Sequence, residues 1–479
     1  MTGPRPDSRP LTLVFCLAHA GFIRHYRSVL ELLAARGHRV HVAFSSMEKD
    51  AGDARLAEEL AARHEGLTIG LAPQRDDAWR APAGLARSLV DLARYAGPRY
   101  ADAPELRARA AREVSDRVRS GRGAGRLRVA FGLRLVRWVA VRSPAASRRL
   151  IRVLAAAERV VPTSGRIDRW LGELRADAVL VSPVVDFGSS QVEYVKSARA
   201  LGVPSAVCVA SWDNLTGKGL IRVLPDRVFV WNETQRREAV ELHGIPAERV
   251  ITTGSPKFDE WFERRPATAP AEFRAKVGLR ADRPYVLYLC SSPFIAPDES
   301  GFVRDWITEL RGAPDGRLRG LGVLVRPHPQ NAFQWRDVDL SPLGDVAMWP
   351  REGAQPDAGE ARADFFDSLF HSAAVVGVNT SALIEAAIVG RSVFTVLDPR
   401  FAGTQPGTLH FHYLRHANGG FLHEADSFGE HLAQLAAVLE SPEENARTRR
   451  FVASFVRPHG LERAAASILA DEIEELALA

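Results

Sequence analysis

The sequence predicts an α/β protein built from two doubly wound domains, and three observations support this prediction. The chain has 479 residues, enough for two or three domains of about 150 residues each. Hydrophobic residues make up 46% and charged residues 25% of the chain, which is a globular composition and excludes a disordered or fibrous protein. Most apolar segments are short and continuous, which is typical of parallel strands covered on both faces, and helical patterns separate them.

Seven strands are predicted in the first half of the chain. They are residues 11–17, 39–44, 67–71, 178–182, 205–210, 227–231 and 249–253. The first strand follows Arg5 and Arg9 and also resembles a signal peptide. We favour a strand, because cleavage would remove the first element of a well-formed βαβ unit. No uninterrupted apolar run reaches the ~18 residues of a membrane span.

Residues 75–161 interrupt this alternation and predict a helical insertion rich in Ala, Arg and Leu. The part from Arg75 to Arg152 contains 19 arginines, no lysine and 7 acidic residues. The rest of the chain holds 44 of the 63 basic residues and 51 of the 58 acidic residues. The net charge of +5 therefore hides one basic segment on an acidic protein. This argues against a nucleic-acid-binding surface spread over the fold, and it indicates either a solvated face or one local anionic partner.

A second series of strands follows a linker-like stretch. The predicted strands are residues 285–290, 322–326, 345–349, 373–378, 393–397 and 420–423, and closing helices are predicted at 428–440 and 460–478. The predicted organisation is a first domain over 1–262, a linker over 263–276, a second domain over 277–455 and a closing helix over 456–479.

Three cysteines, Cys16, Cys208 and Cys290, each lie in an apolar run. Their odd number and wide spacing predict buried free thiols in a reducing compartment.

The most specific pattern spans Val376 to Val393. Asn379, Thr380 and Ser381 follow a predicted strand, and each can cap a helix. A helix N-terminus suits phosphate, and Glu385 in the second turn can accept hydrogen bonds from a ribose diol. An ordinary capped helix with an exposed glutamate would show the same pattern.

Two further motifs contain residues that could bind the same ligand as the segment from Val376 to Val393. Arg326 and His328 belong to an Arg-Pro-His-Pro sequence at a strand end. Arginine binds phosphate well, and histidine can contact a phosphate or orient a substrate, although a lone strand-end histidine can be structural. Ser255 and Lys257 belong to a Gly-Ser-Pro-Lys-Phe-Asp sequence that closes the first domain.

In this order and spacing, the motifs resemble the GT-B superfamily of nucleotide-sugar glycosyltransferases. The match is closest to the branch of capsule-polysaccharide, Kdo and CDP-glycerol polymer transferases and non-hydrolysing UDP-GlcNAc 2-epimerases. It is good over residues 225–400, fair over 10–45 and 177–215, and absent over 75–165. The resemblance implies two Rossmann-like domains facing each other across a cleft, with the donor bound by the second domain and its ribose held by Glu385.

A loop after the strand at 393–397 adds donor-side candidates. Thr404 and Gln405 are expected near the sugar or the diphosphate. His410 and His412 follow without an acidic or cysteine partner at a recognisable spacing. We therefore expect no bound metal and no other cofactor, since the superfamily does not require a metal.

In the first domain, the resemblance implies that acceptor chemistry comes from loops after the early strands. An inverting transfer needs a base near the acceptor hydroxyl and positive groups on the leaving diphosphate. His19 is the first choice for the base and Asp213 the second, although a buried strand-end histidine is an open alternative for His19. Further acceptor-side candidates are Gly21, His25, Asp186 and Asn214, of which Asn214 can also be a simple turn cap.

These expectations combine into a glycosyltransferase that moves a sugar from a nucleotide-sugar donor to an acceptor hydroxyl without a metal. The expected acceptor is lipid-linked or polymeric, as in cell-surface polysaccharide or glycolipid synthesis. The expected location is cytoplasmic, with residues 75–152 as a candidate contact to the anionic inner face of the plasma membrane. The alternatives are a polyol-phosphate transferase, a 2-epimerase-like enzyme, or a non-catalytic scaffold of the same fold.

Overall fold

The computed structural model describes residues 9–46, 51–97, 100–120, 144–355, 359–440 and 446–479. The chain divides into two compact units. Unit 1 comprises Met1–Asp259 and Phe455–Ala479, and unit 2 comprises Glu260–Ser454. The C-terminal helix therefore belongs to the same unit as the N-terminal half of the chain.

Both units are α/β. The strands are β1 (Thr12–Leu17), β2 (Arg39–Phe44), β3 (Leu67–Leu71), β4 (Ala178–Ser182), β5 (Ser205–Cys208), β6 (Arg227–Val230), β7 (Val250–Thr252), β8 (Tyr285–Leu289), β9 (Gly322–Arg326), β10 (Val346–Met348), β11 (Ala374–Gly377), β12 (Val393–Val396) and β13 (His423–Ala425). The helices are α1 (Ile23–Ala35), α2 (Ala51–Arg63), α3 (Arg80–Ala96), α4 (Pro104–Ser120), α5 (Pro144–Val160), α6 (Gly165–Leu174), α7 (Val192–Ala200), α8 (Asn214–Gly217), α9 (Glu233–His243), α10 (Asp259–Glu263), α11 (Pro270–Lys276), α12 (Ser300–Gly312), α13 (Gly316–Arg319), α14 (Gly359–Phe370), α15 (Ala382–Ile388), α16 (Phe428–Glu440), α17 (Ala446–Phe451) and α18 (Ala465–Leu478).

Unit 1 has a seven-stranded parallel sheet in the order β3-β2-β1-β4-β5-β6-β7. Successive residues of β1 point to opposite faces, and both faces are buried. Phe15 packs in one core with residues of α1 and α18, whereas Cys16 packs in a second core with residues of α6 and α7. This two-sided burial explains why the strands are continuous apolar runs, and the seven predicted strands are confirmed to within two residues at each end.

The helical insertion is attached to unit 1 by buried charges. Arg87 on α3 donates to Glu158 on α5 at 2.8 and 2.6 Å and also contacts Glu193 on α7. Arg75 also pairs with Glu193, at 2.9 Å. Arg94 donates to the backbone oxygens of Lys218 and Gly219 at 2.9 Å. The interpretation of the whole basic segment as a solvated or lipid-facing surface is therefore wrong for these three arginines, which are at most 6% exposed.

Unit 2 has a six-stranded parallel sheet in the order β10-β9-β8-β11-β12-β13. The predicted strand at 420–423 is displaced, since the observed strand is His423–Ala425. Phe421 and Leu422 are fully buried, but they follow a left-handed Gly419 and precede the strand. Leu422 forms an isolated parallel bridge with Arg415, in which its N–H donates to the Leu414 oxygen. The apolar run here reflects the burial of the loop that leads into the strand.

Residues 263–276, predicted as a linker, include the helix α11 of unit 2. Pro270 begins this helix and Phe273 is fully buried. The proline-rich composition that favours a linker therefore also fits a helix with proline at its first position.

The three cysteines are buried free thiols, as predicted. Burial raises the pKa of all three thiols, which keeps them protonated and unreactive. None of the helices in the described ranges combines the length and the hydropathy that a membrane span needs.

Candidate functional site

The loops that follow β8, β9, β11 and β12 form one hydrogen-bonded group at the carboxyl edge of the unit 2 sheet. We call residues 290–298, 326–331, 379–381 and 404–408 the unit 2 loop cluster. Asn331 donates to the backbone oxygens of Ser291 at 3.1 Å and Ala296 at 2.8 Å. The Asn379 side chain donates to the Thr404 oxygen at 3.2 Å and the Thr408 hydroxyl at 3.3 Å. These bonds fix the edge where ligands of open α/β sheets bind.

Thr404 and Gln405 use their side chains to hold this cluster together. The Thr404 hydroxyl donates to the Ile295 oxygen at 2.5 Å. The Gln405 amide is fully buried and donates to the Thr395 hydroxyl at 2.8 Å and to the Val378 oxygen at 3.0 Å. Their observed contacts support a structural role, and the donor-binding role stays a prediction.

Arg326 is the unusual residue of the cluster. It ends β9, is 5% exposed, and holds its guanidinium carbon 4.9 Å from the Phe365 ring centroid. Its Nη1 and Nη2 atoms are buried without a hydrogen-bond partner among the described residues. The charge of Asp364 acts to raise the pKa of Arg326, but this carboxylate accepts a hydrogen bond from Lys276 at 2.6 Å. Burial lowers the pKa of Arg326 to about 10, so the group is still charged at neutral pH. A buried cation whose two terminal nitrogens lack hydrogen bonds to the described residues is a strong candidate for an anion-binding group.

His328 is half-buried two residues further on. The Gln330 backbone N–H donates to its Nδ1 at 3.1 Å, which places the ring proton on Nε2. Burial lowers the pKa of His328 to about 4. At neutral pH, His328 is therefore an uncharged Nε2–H donor.

The segment Asn379–Ser381 precedes the short helix α15. The Leu383 and Ile384 N–H groups donate to the oxygens of Thr380 and Ser381, and the Ser381 side chain makes no capping bond. Glu385 lies in this helix and is 7% exposed. The helical position predicted for Glu385 is thus present, and the phosphate and ribose contacts remain predictions.

Sequence reasoning missed Glu299, which anchors the start of the loop after β8. Its carboxylate accepts from the Ser291 N–H at 2.7 Å and the Tyr288 hydroxyl at 3.0 Å. Burial raises the pKa of Glu299 to about 8. A glutamate before a helix looks like an ordinary surface residue in the sequence, so no local signal identifies it.

In unit 1, His19 follows β1 and lies beside Gly21 and Asp53. A side-chain carbon added at Gly21 would stand 2.8 Å from the Asp53 Oδ2 and 3.0 Å from the His19 ring. Asp53 is 2% exposed and pairs with Arg24 at 2.5 Å. Asp53 was not predicted, because it comes from α2, more than thirty residues along the chain.

Two further elements of unit 1 carry predicted site residues. Helix α1 carries His25, and the turn after β7 carries Ser255 and Lys257. Burial, followed by the positive charges of Lys257 and Arg24, lowers the pKa of His25 well below its ordinary value. The Lys257 ammonium lies 4.8 Å from the Phe258 ring centroid. Ser255 is fully buried, and its backbone N–H donates to the Val456 oxygen at 3.0 Å. The sequence motifs thus bring an imidazole and two cations into electrostatic range of each other.

Asp186 and Asp213 are both partly buried and lie in loops after β4 and β5. Asn214 accepts from the Ala210 and Ser211 N–H groups at 3.2 and 3.1 Å, so it caps the turn. Asp91 of the helical insertion forms hydrogen bonds with the segments that follow β4 and β5. It accepts from the Gly188 N–H at 2.7 Å and the Leu220 N–H at 2.9 Å, and it pairs with Arg222.

Among the residues that the structure describes, no three His, Cys, Asp or Glu side chains group closely enough to hold a metal ion. His412 instead bonds the Pro406 oxygen at 2.8 Å.

No protein-family model and no curated protein matches this chain. Solved structures do match over nearly the whole length. UDP-GlcNAc 2-epimerase from Methanocaldococcus jannaschii, solved with UDP-GlcNAc and UDP, is 12% identical with a TM-score of 0.51 and covers 97% of this chain and 99% of its own. A glycosyltransferase from Rickettsia africae is 7% identical with a TM-score of 0.53, covering 98% and 99%. A putative UDP-GlcNAc 2-epimerase from Listeria monocytogenes is 11% identical with a TM-score of 0.53, covering 98% of both chains.

At these identities the similarity defines the fold. With its two parallel sheets of seven and six strands, the chain has the two-domain GT-B fold shared by UDP-GlcNAc 2-epimerases and glycosyltransferases.

Proposed function

We propose that this protein is a glycosyltransferase that uses a nucleotide-sugar donor. The observation that carries the proposal is Arg326, a buried guanidinium at the carboxyl edge of the unit 2 sheet whose terminal nitrogens lack hydrogen-bond partners among the described residues. A diphosphate oxygen is a suitable partner for such a group. The M. jannaschii enzyme of the same fold was solved with UDP-GlcNAc and UDP, which supports a nucleotide-sugar ligand.

Within this proposal, unit 2 binds the donor. Arg326 pairs with the diphosphate, and His328 donates its Nε2–H to an oxygen of the donor without adding charge. Asn379, Thr380 and Ser381 approach the phosphates, and Glu385 accepts from the ribose hydroxyls. Because cationic side chains neutralise the leaving group, the reaction requires no metal.

Unit 1 supplies the base and a further cation. His19, with Asp213 as the second candidate, removes the proton from the acceptor hydroxyl. The acceptor oxygen attacks the anomeric carbon while the bond from that carbon to the phosphate oxygen breaks. The nucleoside diphosphate leaves with that electron pair, and direct displacement inverts the anomeric configuration. Lys257 is the cation that unit 1 is proposed to supply. The proposed acceptor is a lipid-linked or polymeric glycan of the cell surface.

The 2-epimerase reaction is a second candidate, because two of the three structures described above carry that name. An epimerase changes the sugar while it is attached to the nucleotide and needs no acceptor. A glycosyltransferase releases the nucleoside diphosphate and moves the sugar to an acceptor.

Thermal shift with UDP, GDP, CDP and TDP compounds identifies the nucleotide, and sugar-labelled donor then shows where the label goes. We expect one nucleotide class to stabilise the protein and the label to appear in a new glycoside. Label retained in an epimerised donor would favour the epimerase. Transfer of a polyol phosphate would favour the CDP-glycerol type of reaction, and no stabilisation by any nucleotide would favour a non-catalytic scaffold.

A further inference from the structure

We propose that the outer face of helix α5 docks this protein on an anionic lipid surface. The inference goes beyond sugar transfer and concerns only unit 1. It also restricts the lipid contact to part of the basic segment. Arg75, Arg87 and Arg94 are buried and paired inside the protein, so they cannot reach a lipid.

The orientation of α5 is fixed by its inner face. Glu158 is 2% exposed and accepts from Arg87 at 2.6 and 2.8 Å and from Lys196 at 3.1 Å. Because this inner ion-pair cluster is buried against α3 and α7, the opposite face of α5 is held outward.

The outward face combines arginine with small apolar side chains. Its described exposed residues are Ala145, Arg149, Arg152, Val153, Ala156, Arg159 and Val160. At 3.6 residues per turn, these positions fall within an arc of about 120°. The set contains three arginines and no acidic residue, so along the helix this stripe is uniformly positive.

Two exposed valines on this face favour a lipid surface over a soluble polyanion as the partner. Val153 is 66% exposed and Val160 is 75% exposed, and they lie seven residues apart on the same stripe. Arginines beside them would pair with lipid phosphates, while the valines would enter the boundary between headgroups and acyl chains. A soluble acidic polymer would engage the arginines but offers no apolar phase for the valines.

The test is co-sedimentation of the full chain with vesicles of phosphatidylcholine alone or mixed equally with phosphatidylglycerol. We expect wild type to bind the mixed vesicles and not the neutral ones. The triple variant R149Q/R152Q/R159Q should lose affinity about a hundredfold, from roughly fivefold per arginine near an anionic surface. The double variant V153S/V160S should bind clearly less well than wild type.

A matched triple variant, R55Q/R63Q/R237Q, removes three other exposed arginines of unit 1 and should bind like wild type. Unchanged melting temperatures and nucleotide shifts would show that all three variants are folded. The proposal would be overturned if R149Q/R152Q/R159Q bound as well as the matched triple. It would also be overturned if V153S/V160S bound like wild type while soluble heparin competed fully, since that result would identify an acidic polymer as the partner.

Discussion

The guanidinium of Arg326 stacks on the ring of Phe365, with 4.9 Å between the guanidinium carbon and the ring centroid. The aromatic face offers the cation some stabilisation, but it leaves two buried nitrogens without hydrogen bonds within the described part of the chain. Such a group lowers the stability of the empty protein and strengthens binding of an anion. We therefore expect Arg326 to lower the unfolding free energy of the ligand-free protein and to raise its affinity for an anionic ligand.

His328 is expected to act through its Nε2–H. Glutamine places an amide N–H near the Nε2 position, whereas asparagine offers an oxygen near the Nδ1 position only. We expect His328→Gln to keep donor affinity within about threefold and His328→Asn to lose about tenfold, since one neutral hydrogen bond is worth about 1 kcal/mol. Calorimetric titration with the donor nucleotide measures both. Equal losses in the two variants would contradict a role for Nε2–H.

Glu299 predicts a pH dependence of stability. Its pKa is raised from 4.5 to about 8 in the folded protein by burial, so the native state binds more protons than the unfolded chain between these values. Stability therefore falls as pH rises from about 4.5 to 8 and levels off above that range.

Glu299→Gln should remove this contribution. We expect the variant to melt several degrees above wild type at pH 8.5 and close to wild type at pH 5, because its side chain never ionises. Glu309→Gln, at an exposed position of α12, should change neither melting temperature. A constant difference between wild type and Glu299→Gln across this pH range would show that Glu299 does not titrate as described.

Gly21→Ala tests the assignment of His19. The added methyl group would stand 2.8 Å from the Asp53 Oδ2 and 3.0 Å from the His19 ring, so the carboxylate, the imidazole or both must shift. We expect kcat to fall at least roughly tenfold while nucleotide affinity is unchanged, since misplacing a catalytic group is costly.

Gly84→Ala is the matched control, because the position is helical and no atom beyond its chain neighbours and its own helix backbone lies within 4 Å of the added carbon. It should leave kcat unchanged. Wild-type kcat in Gly21→Ala would contradict the claim that catalysis needs the observed arrangement of His19 and Asp53.

Asp91 predicts that the helical insertion supports the acceptor-side loops. Asp91→Asn weakens the hold on Gly188 and Leu220 and leaves Arg222 buried without its carboxylate. We expect a loss of about 3 kcal/mol in unfolding free energy and a higher KM for the acceptor, with nucleotide affinity preserved. Glu113→Gln, at an exposed position of α4, should behave as wild type. An unchanged acceptor KM in a destabilised Asp91→Asn protein would limit Asp91 to a folding role.

The sequence predicted those features that depend on local pattern. The strands were predicted correctly because both faces of each sheet are buried. Arg326 and His19 were chosen as candidates because Arg326 ends a predicted strand and His19 follows one, and their roles stay predictions. The strand predicted at 420–423 was displaced because the loop before β13 buries Phe421 and Leu422 as fully as a strand does. A strand-end position predicts at which edge of the sheet a residue lies. It does not predict which side chains from other elements contact that residue.

The missed residues act through contacts that are distant in sequence. Asp91 bonds Gly188 across 97 residues, and its helix reads as a solvated charged helix when taken alone. The inward direction of Arg87 and Arg94 depends on Glu158 and on the carbonyls after α8. Neither direction is encoded in the periodicity of the helix itself.

Arg326→Met provides the most direct test of the proposed donor site, through the melting temperature with and without the nucleotide that stabilises wild type. We expect the empty variant to melt a few degrees higher than wild type, because about 1–3 kcal/mol of buried-charge cost is removed. Its nucleotide affinity should fall tenfold or more, because a charged hydrogen-bonding partner is lost, while Arg304→Met, at an exposed position of α12, should match wild type in both respects. Wild-type nucleotide affinity in a folded Arg326→Met protein would contradict the account.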